Sequence, residues 1–285
     1  IPVRLNLLSA DSVSLDVLAL LMEYTGKLNN GVITGTFRQF GVAFPLELKA
    51  GDAGKPNRPQ EPESPLGYKT EEVTFTNQKA HVSLAGTLTY PVNYTPDKKV
   101  PVVIMVTGSG AQNRDEEVFA HKPFRVIADY LAKQGIASLR YDDRGVGQST
   151  GNQAGCTSAD FAEDAACGLS WLKSSGKFNQ VGILGHSEGG LIAFMLGAEG
   201  KADFLVSMAG PGIKGDSLLV EQQNALFKLK GIPSNVSVST LRKSMATQPG
   251  NVWLEYFMDY DPRQDLERIT IPVMAVNGSN DMQVL

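Results

Sequence analysis

The chain has 285 residues, a formal net charge of −4, 42% hydrophobic residues and 20% charged residues. These values are ordinary for a globular protein and allow one large domain or two smaller ones. The small negative charge and the lack of a basic run argue against binding to nucleic acid or a membrane surface. No apolar run approaches the roughly 18 residues that suggest a membrane-spanning helix, since the best candidate, Leu15–Met22, contains Asp16.

Residues 1–50 predict a small all-β domain. Polar and apolar residues alternate in Ser12–Val17, and Tyr24–Phe37 predicts a hairpin around an Asn-Gly turn. A further strand is expected over Val42–Leu48. Three or four strands without an obvious partner do not close a sheet, so we expect this β domain to be incomplete.

Segment 51–66 is rich in proline, with prolines at positions 56, 59, 62 and 65. One proline at every third position is the repeat of a polyproline II helix. We interpret the segment as an extended, semi-stiff spacer between two domains. The alternative is a ligand for a proline-recognition module.

Residues 67–285 alternate between strand and helix patterns. This alternation predicts an α/β fold with a doubly wound, mostly parallel sheet. Residues 211–268 are polar and helix-like, and they are long enough to lie over the strand ends as a cap. In chain order the sequence predicts an antiparallel strand pair over 72–76 and 82–90, strands over 100–106, 136–141, 181–185, 204–209 and 271–277, and helices over 123–134, 160–173 and 190–196.

The two cysteines, Cys156 and Cys167, are not expected to form a disulfide. Thr157 and Asp160 are spaced as a capping box at the start of the predicted helix. Cys156 then precedes the helix and Cys167 lies two turns inside it, roughly 15 Å away. A disulfide needs Cα atoms within about 7 Å, so cysteine usage says little about the cellular compartment.

The most informative stretch is Gly-His-Ser-Glu-Gly at residues 185–189. It follows an apolar run, Val181–Leu184, and precedes a second one, Gly190–Leu196, that predicts a buried helix. A strand, a sharp turn with Gly-x-Ser-x-Gly and a helix make up the nucleophile elbow. Ser187 is therefore the predicted nucleophile, and glycines two residues before and after it avoid collisions with the neighbouring strand and helix.

Two further loops follow predicted strands of the sheet. Residues 107–110, Thr-Gly-Ser-Gly, end the first parallel strand, and we expect the backbone N–H groups of Ser109 and Glu188 to bind an oxyanion. Asp281 lies just after the last strand and is the predicted catalytic acid. Reactive groups gather beyond the carboxyl ends of strands in such sheets, and Ser187 and Asp281 follow the chain order Ser, Asp, His.

These motifs make the chain similar to the α/β-hydrolase superfamily, and in detail to bacterial esterase-like serine hydrolases related to the prolyl-oligopeptidase and dienelactone-hydrolase branches. The resemblance covers about residues 68–285. Residues 24–28 and 33–39 resemble the end of the lipocalin-like N-terminal β domain that some such proteins carry. The motifs that carry the hydrolase resemblance, in order, are 107–115, 121–124, 142–147, 185–190 and 277–281.

The resemblance implies hydrolysis of small-molecule carboxylic esters by a Ser/His/Asp triad without a metal or organic cofactor. It also favours a periplasmic or secreted protein. In the family the catalytic histidine follows the acid by a few tens of residues, so we expect it beyond Leu285. We expect His81 to be exposed, and His121 to support the structure or line the site. The ring of His186 is expected to point away from the nucleophile.

Several other polar and aromatic residues allow a structural or a functional interpretation. Residues 114–117, Arg-Asp-Glu-Glu, could hold a polar group of the substrate or form a loop ion-pair network. Residues 142–144, Asp-Asp-Arg, are expected to be scaffold, and the Glu188 side chain is expected to be solvated or to cap a helix. Trp253, Tyr256 and Phe257 share one helix face, which either packs onto the sheet or lines an acyl pocket.

Three functions fit the sequence. The first is a serine esterase acting on small or medium acyl esters through an acyl-enzyme. The second is an aminopeptidase or amidase with the same catalytic groups. The third is a protein that binds a lipid or glycan through its β domain and is not catalytic. An intact elbow, oxyanion loop and acid favour an enzyme, although this fold hosts many chemistries.

Overall fold

A computed structural model describes residues 3–17, 22–39, 42–51, 57–64, 66–233, 235–245 and 251–284. The chain divides into two compact units, Ile1–Asn57 and Arg58–Leu285. The division falls inside the predicted linker 51–66. The second unit therefore begins at Arg58, within that segment.

The first unit is an antiparallel sheet of five strands in the order β1-β2-β3-β4-β5 among its described residues. Asn30 (φ 49°) and Gly31 (φ 78°) are both left-handed, which is the backbone that a two-residue hairpin turn requires. The predicted Asn-Gly hairpin is confirmed. The first strand was not predicted from the sequence. The five strands are β1 (Arg4–Leu8), β2 (Ser12–Val17), β3 (Met22–Asn29), β4 (Val32–Gln39) and β5 (Val42–Lys49).

The proline-rich segment is not an extended spacer where the structure describes it. The Glu61 N–H donates to the Arg58 carbonyl at 3.0 Å, which closes a turn. The Glu61 carboxylate accepts a hydrogen bond from the Lys122 N–H at 3.0 Å and lies 3.1 Å from His121 Nδ1. The polyproline prediction is therefore wrong for residues 58–61, because the glutamate side chain anchors them to the second unit. Residues 52–56 and 65 lie outside the described residues.

The second unit contains a sheet in the order β12-β11-β10-β8-β9-β7-β6. Neighbouring strands are parallel from β12 to β9, and β7 and β6 continue the sheet antiparallel. This architecture confirms the predicted doubly wound, mostly parallel α/β fold. The strands are β6 (Thr70–Asn77), β7 (Val82–Thr89), β8 (Val100–Val106), β9 (Ala137–Tyr141), β10 (Phe178–His186), β11 (Leu205–Met208) and β12 (Val273–Val276).

Helices cover both faces of this sheet. The central strand β8 shows why, since its residues 102–106 are apolar without interruption and all are buried. Such runs are typical of parallel strands that are covered on both faces. Val103 packs with Phe124 on one side and Ile104 with Leu169 on the other. The helices are α1 (Pro123–Lys133), α2 (Ser158–Ser174), α3 (Glu188–Ala198), α4 (Gly215–Leu229), α5 (Val238–Met245), α6 (Val252–Asp259) and α7 (Arg263–Leu266).

The predicted capping box at the start of α2 is present. The Asp160 carboxylate accepts a hydrogen bond from the Thr157 N–H at 2.8 Å. Cys156 and Cys167 are both free thiols, as the helix register predicted.

Residues 211–268, predicted as a cap, contain helices α4 to α7. Arg242 on α5 links this region together, because its guanidinium binds Asp216 at 2.6 Å and Asp259 at 2.7 Å. Phe257 on α6 packs in one apolar cluster with Leu218 on α4 and Leu191 on α3. The cap helices are thereby fastened to the helix that follows the elbow. Within the described parts of the chain, no helix is both long and apolar enough to cross a membrane.

Trimming of the N-terminus tests where the second unit begins. A protein shortened to begin at Arg58 keeps the contacts of Glu61, whereas one that begins at Leu66 loses them. Hydrogen bonds to charged groups are stronger than those between neutral groups, and partial exposure lowers their contribution. We therefore expect the shorter protein to melt a few degrees lower in a calorimetric scan. Glu61→Ala in the longer protein should reproduce most of the loss, and equal Tm values for the two trimmed proteins would contradict the assignment.

Candidate active site

Ser187 lies at a strained turn between β10 and α3. Its backbone has φ 53° and ψ −118°, a conformation that residues other than glycine rarely adopt. The Ser187 N–H donates to the Met208 carbonyl at 2.9 Å, and the Gly190 N–H donates to the Ser187 carbonyl at 2.8 Å. The turn is thereby held on both sides, at the edge where the parallel strands end.

The glycines at positions 185 and 189 are sterically required. A Cβ at Gly185 would collide with the backbone of Gly189, and a Cβ at Gly189 would collide with the carbonyl of Val106 at the end of β8. The collisions that the sequence predicted are therefore present in the folded protein. Strand, helix and loop approach so closely here that only glycine fits.

The loop at residues 107–112, named the oxyanion loop because it contains the predicted oxyanion donor Ser109, lies beside the elbow. Ser109 is exposed, and its N–H has no hydrogen-bond partner among the residues that the structure describes, nor has the N–H of Glu188. The Gly108 N–H differs, because it donates to the Glu116 carboxylate at 2.7 Å. A Cβ added at Gly108 would lie 3.2 Å from the Ser187 Cβ. The loop therefore touches the elbow, and the N–H groups of Ser109 and Glu188 remain without a partner among the described residues.

Asp281 belongs to the loop that follows β12. This loop is tied to the elbow through the strand between them, since the Ala209 N–H donates to the Val276 carbonyl at 2.8 Å. Asp281 Oδ1 accepts hydrogen bonds from the N–H groups of Gln283 at 2.8 Å and Val284 at 3.1 Å. Oδ2 accepts none from the described part of the chain, so it is available to a further donor.

None of the three histidines hydrogen-bonds to the Ser187 hydroxyl, and no other described residue does. His81 is exposed, as predicted. His121 is only 22% exposed and faces Glu61, a contact that supports the loop in which it lies. His186 Nδ1 lies 2.8 Å from Glu116 Oε1. This hydrogen bond, the Glu116 charge and the more distant charge of Asp281 raise the pKa of His186.

The prediction that the Glu188 side chain is solvated or caps a helix is wrong. Glu188 is only 2% exposed. Its Oε1 accepts hydrogen bonds from Ser158 Oγ at 2.6 Å and from Trp253 Nε1 at 2.7 Å. Because these donors belong to α2 and α6, the carboxylate joins α2, α3 and α6 at the residue that follows Ser187. A buried carboxylate needs such donors, since an unpaired one is costly.

The aromatic face of α6 packs on helices rather than on the sheet, which corrects the expected sheet contact. Phe257 stacks on Trp253 with ring centroids 5.3 Å apart, and Tyr256 stacks on Tyr260 at 5.6 Å. Phe257 is buried, whereas Trp253 and Tyr256 are partly exposed.

The Arg-Asp-Glu-Glu segment at 114–117 forms an ion-pair network rather than an open recognition loop. Arg114 binds Asp142 through two nitrogens, at 3.1 and 2.8 Å. Asp115 pairs with Arg140. The ion-pair interpretation of the segment is therefore confirmed for these two residues.

Residues 142–144 also act as scaffold. Besides the Asp142 pair, Arg144 binds Asp164 through two nitrogens, at 2.6 and 2.8 Å, and both side chains are almost fully buried. Bidentate arginine–carboxylate pairs fix geometry as well as charge. The pair joins the loop after β9 to α2.

Asp143 lies in a small pocket under the oxyanion loop. Its carboxylate accepts hydrogen bonds from Thr107 Oγ1 at 2.9 Å and from the Gln112 N–H at 2.9 Å, so it fastens both ends of the loop. Burial raises the pKa of Asp143 to about 7, with smaller contributions from the charges of Glu188 and Glu116. The pocket also contains Tyr141 and Phe161. Among the described residues, no group of His, Cys, Asp and Glu side chains is arranged to hold a metal ion.

Sequence reasoning did not identify Glu116, Ser158 or the Glu188 side chain as parts of this site. Glu116 contacts His186, 70 positions away, and Glu188 contacts Trp253, 65 positions away. No local pattern encodes such distances. The one available signal was the position of Glu116 directly after the motif at 107–115.

Asp143 gives a pH-dependent stability that can be measured. Because its pKa is raised, the folded protein holds a proton between about pH 4 and pH 7 that the unfolded chain releases. This group therefore lowers the free energy of unfolding as pH rises through that range. We expect the free energy of unfolding of Asp143→Asn, relative to that of the wild type, to rise by about 2–4 kcal/mol between pH 4 and pH 8. Urea unfolding at each pH measures this difference.

Asp142→Asn is the matched control, because the pKa of Asp142 is lowered by its hydrogen bonds to Arg114 and to backbone N–H groups, against the effect of burial. Its carboxylate stabilises the fold above the unfolded pKa. That stabilisation is lost as pH falls through the lower, folded value. As pH rises towards about 4, the free energy of unfolding of the control should therefore fall relative to that of the wild type. Parallel curves for Asp143→Asn and the wild type would contradict the raised pKa.

The second unit matches known hydrolases. Residues 122–248 match the model of a family described as serine aminopeptidase, S33. The chain is 31% identical over 231 residues to the esterase EstD of Thermotoga maritima, an alignment that covers 77% of this chain and 54% of that protein. The chain thus spans about half the length of this curated relative.

Solved structures share the fold. The esterase Pf2001 of Pyrococcus furiosus superposes with a TM-score of 0.56 at 20% identity, covering 77% of this chain and 74% of its own. An acylaminoacyl peptidase of Pyrococcus horikoshii superposes with a TM-score of 0.51 at 12% identity, covering 99% of this chain and 47% of its own. At such identities the likeness shows the fold alone, and this fold carries both esterases and peptidases.

Proposed function

The chain belongs to the α/β-hydrolase superfamily, and we propose that it is a serine esterase that cleaves carboxylic esters of small or medium acyl groups. One observation carries the proposal. Ser187 stands on a strained turn at the carboxyl edge of the sheet, and the N–H groups of Ser109 and Glu188 beside it have no partner among the described residues. A nucleophile next to two unused donors is the arrangement that acyl transfer needs.

In the proposed reaction, the Ser187 hydroxyl attacks the ester carbonyl and passes its proton to a histidine. The carbonyl oxygen becomes an oxyanion that accepts hydrogen bonds from Ser109 and Glu188 N–H. The tetrahedral intermediate then expels the alcohol, which takes the proton from the histidine and leaves an acyl-enzyme. Water attacks the acyl-enzyme through the same steps and releases the acid.

Asp281 is proposed to orient that histidine. Its Oδ1 is held by the N–H groups of Gln283 and Val284, which leaves Oδ2 for the ring N–H. None of His81, His121 and His186 is placed between Asp281 and the Ser187 hydroxyl as a hydrogen-bonded relay. We assign the base to a histidine that follows Asp281, in the chain order of this superfamily.

The nucleophile can be tested with a fluorophosphonate probe on the protein as its gene encodes it. We expect the probe to label Ser187, and Ser187→Ala to abolish both labelling and hydrolysis of p-nitrophenyl acetate while Tm is kept. Ser109→Ala is the control, because Ser109 is proposed to act through its backbone N–H and should stay labelled. Labelling that survives in Ser187→Ala would reject this serine as the nucleophile.

The acid can be tested in the same protein with Asp281→Asn. An amide in place of the carboxylate no longer fixes the histidine in the required tautomer, so we expect kcat to fall by about 10⁴-fold with little change in Tm. Asn280→Ala, a change at the exposed neighbour, should stay within about twofold of the wild type. A decrease in kcat of less than about tenfold for Asp281→Asn, which corresponds to about 1.4 kcal/mol of activation free energy, would point to a different acid.

An aminopeptidase or amidase is the second candidate, favoured by the description of the family that matches residues 122–248. The catalytic groups would be the same, since esters and amides are both opened through an oxyanion. A panel of p-nitrophenyl esters and aminoacyl-anilides separates the two candidates by kcat/KM. A preference for anilides would favour the peptidase. Inactivity on both, together with failure to react with the probe, would favour the non-catalytic binding protein.

A further inference from the structure

Glu116 lies at the junction of the oxyanion loop and the elbow. One of its oxygens, Oε1, accepts the Gly108 N–H at 2.7 Å and faces His186 Nδ1 at 2.8 Å. The residue is only 5% exposed. Since a carboxylate only accepts, Nδ1 must carry the ring proton. A single buried oxygen thus holds two N–H groups from different elements.

Glu116 is itself held in an unfavourable backbone conformation. Its φ is 52°, in the left-handed region that residues other than glycine rarely adopt and that the surrounding structure must hold in place. The Glu116 N–H donates to the Asn113 carbonyl at 2.8 Å. Asn113 Oδ1 accepts the N–H groups of Asp115 at 3.0 Å and Glu117 at 3.2 Å. The surrounding turn therefore fixes where the carboxylate points.

The two groups that Glu116 holds directly precede the reacting segments. Gly108 precedes Ser109, and His186 precedes Ser187 and Glu188. Because the Gly108 N–H is used by Glu116, it cannot serve the oxyanion, whereas the N–H groups of the proposed donors, Ser109 and Glu188, have no partner among the described residues. A Cβ at Gly108 would lie 3.3 Å from Glu116 Oε1 and 3.2 Å from the Ser187 Cβ, so the three residues meet at one point.

We propose that Glu116 is a positioning residue that sets the separation and orientation of the two proposed oxyanion donors, one through Gly108 and the other through His186. This inference rests on the proposed function, because it concerns the geometry of that reaction. Glu116 touches neither the substrate nor the nucleophile hydroxyl. It acts by holding two backbone segments together.

Glu116 could act through the position of its oxygen or through its charge, and two substitutions distinguish these effects. Glu116→Gln keeps the side-chain length and an oxygen that accepts both N–H groups, but removes the charge. Glu116→Asp keeps the charge but withdraws the oxygen by one methylene. Misplacement of about 1 Å costs about 10²-fold in rate. We therefore expect Glu116→Asp to lower kcat by about 100-fold with KM within about threefold, and Glu116→Gln to stay within about tenfold of the wild type.

The measurement is steady-state hydrolysis of p-nitrophenyl acetate, together with the rate of fluorophosphonate labelling of Ser187, in the protein as its gene encodes it. Both rates need the oxyanion donors, so both should fall in parallel. Glu117→Gln and Glu117→Asp are matched controls at the exposed neighbour, and each should stay within about twofold. Thermal scans of all variants measure whether each of them is folded.

The reverse ranking, with Glu116→Asp active and Glu116→Gln impaired, would overturn the proposal in favour of a charge effect on His186. Equal kcat for the Glu116 and Glu117 variants would overturn it as well, since position at 116 would then not matter. A loss in Glu116→Asp that appears in KM alone would also contradict it. If the wild type neither takes the probe nor hydrolyses esters, the proposed function fails, and the inference fails with it.

Discussion

The site depends on one close approach of backbones at the elbow. Strand β10, helix α3 and the end of β8 meet so tightly that glycine alone fits at 185 and 189, and this contact holds Ser187 in a left-handed conformation. The strain is retained because neighbouring hydrogen bonds leave the turn no other arrangement. The oxyanion loop lies against this turn, and the loop of Asp281 is tied to it through β11. The elbow therefore determines where the oxyanion loop and the loop of Asp281 lie with respect to Ser187.

Three buried or partly buried carboxylates surround the elbow, and each is held by donors from other elements. Glu188 accepts from Ser158 and Trp253, Asp143 from Thr107 and Gln112, and Glu116 from Gly108 and His186. Among the described residues, none of the three is paired with an arginine or lysine. The arginines instead bind an outer set of carboxylates, which stiffen the loops after β8 and β9. Hydroxyl, indole, imidazole and backbone N–H groups thus hold the three carboxylates in place around Ser187.

Helix α6 contributes to this region through a polar contact as well as an apolar one. Phe257 joins the cluster with Leu191 on α3, and Trp253 donates to Glu188 at 2.7 Å. A hydrogen bond to a buried carboxylate is among the stronger contacts in a protein. Helix α6 is therefore coupled to Glu188, so a shift of this helix would also move one of the two proposed oxyanion donors.

The sequence by itself determined the features that are encoded within a few residues. The glycines around Ser187, the Asn-Gly hairpin at 30–31, the capping box at 157–160 and the uninterrupted apolar strand at 100–106 each depend on local sterics or periodicity. These patterns predicted the α/β fold and the positions of Ser187, Ser109, Glu188 and Asp281 at the ends of strands. The roles of those four residues remain proposals, because a strand end places a group without showing what it does.

Only the tertiary structure decided which side chains meet. The Glu116–His186 and Glu188–Trp253 contacts join residues 70 and 65 positions apart, and no spacing rule brings such pairs together. The same holds for Glu61, which contacts His121, 60 positions away. The proline repeat around Glu61 favours an extended spacer, and only this distant contact shows that the residue packs against the second unit. A buried carboxylate takes whatever donors the packed elements bring to it, and these are set by the folding of the whole unit.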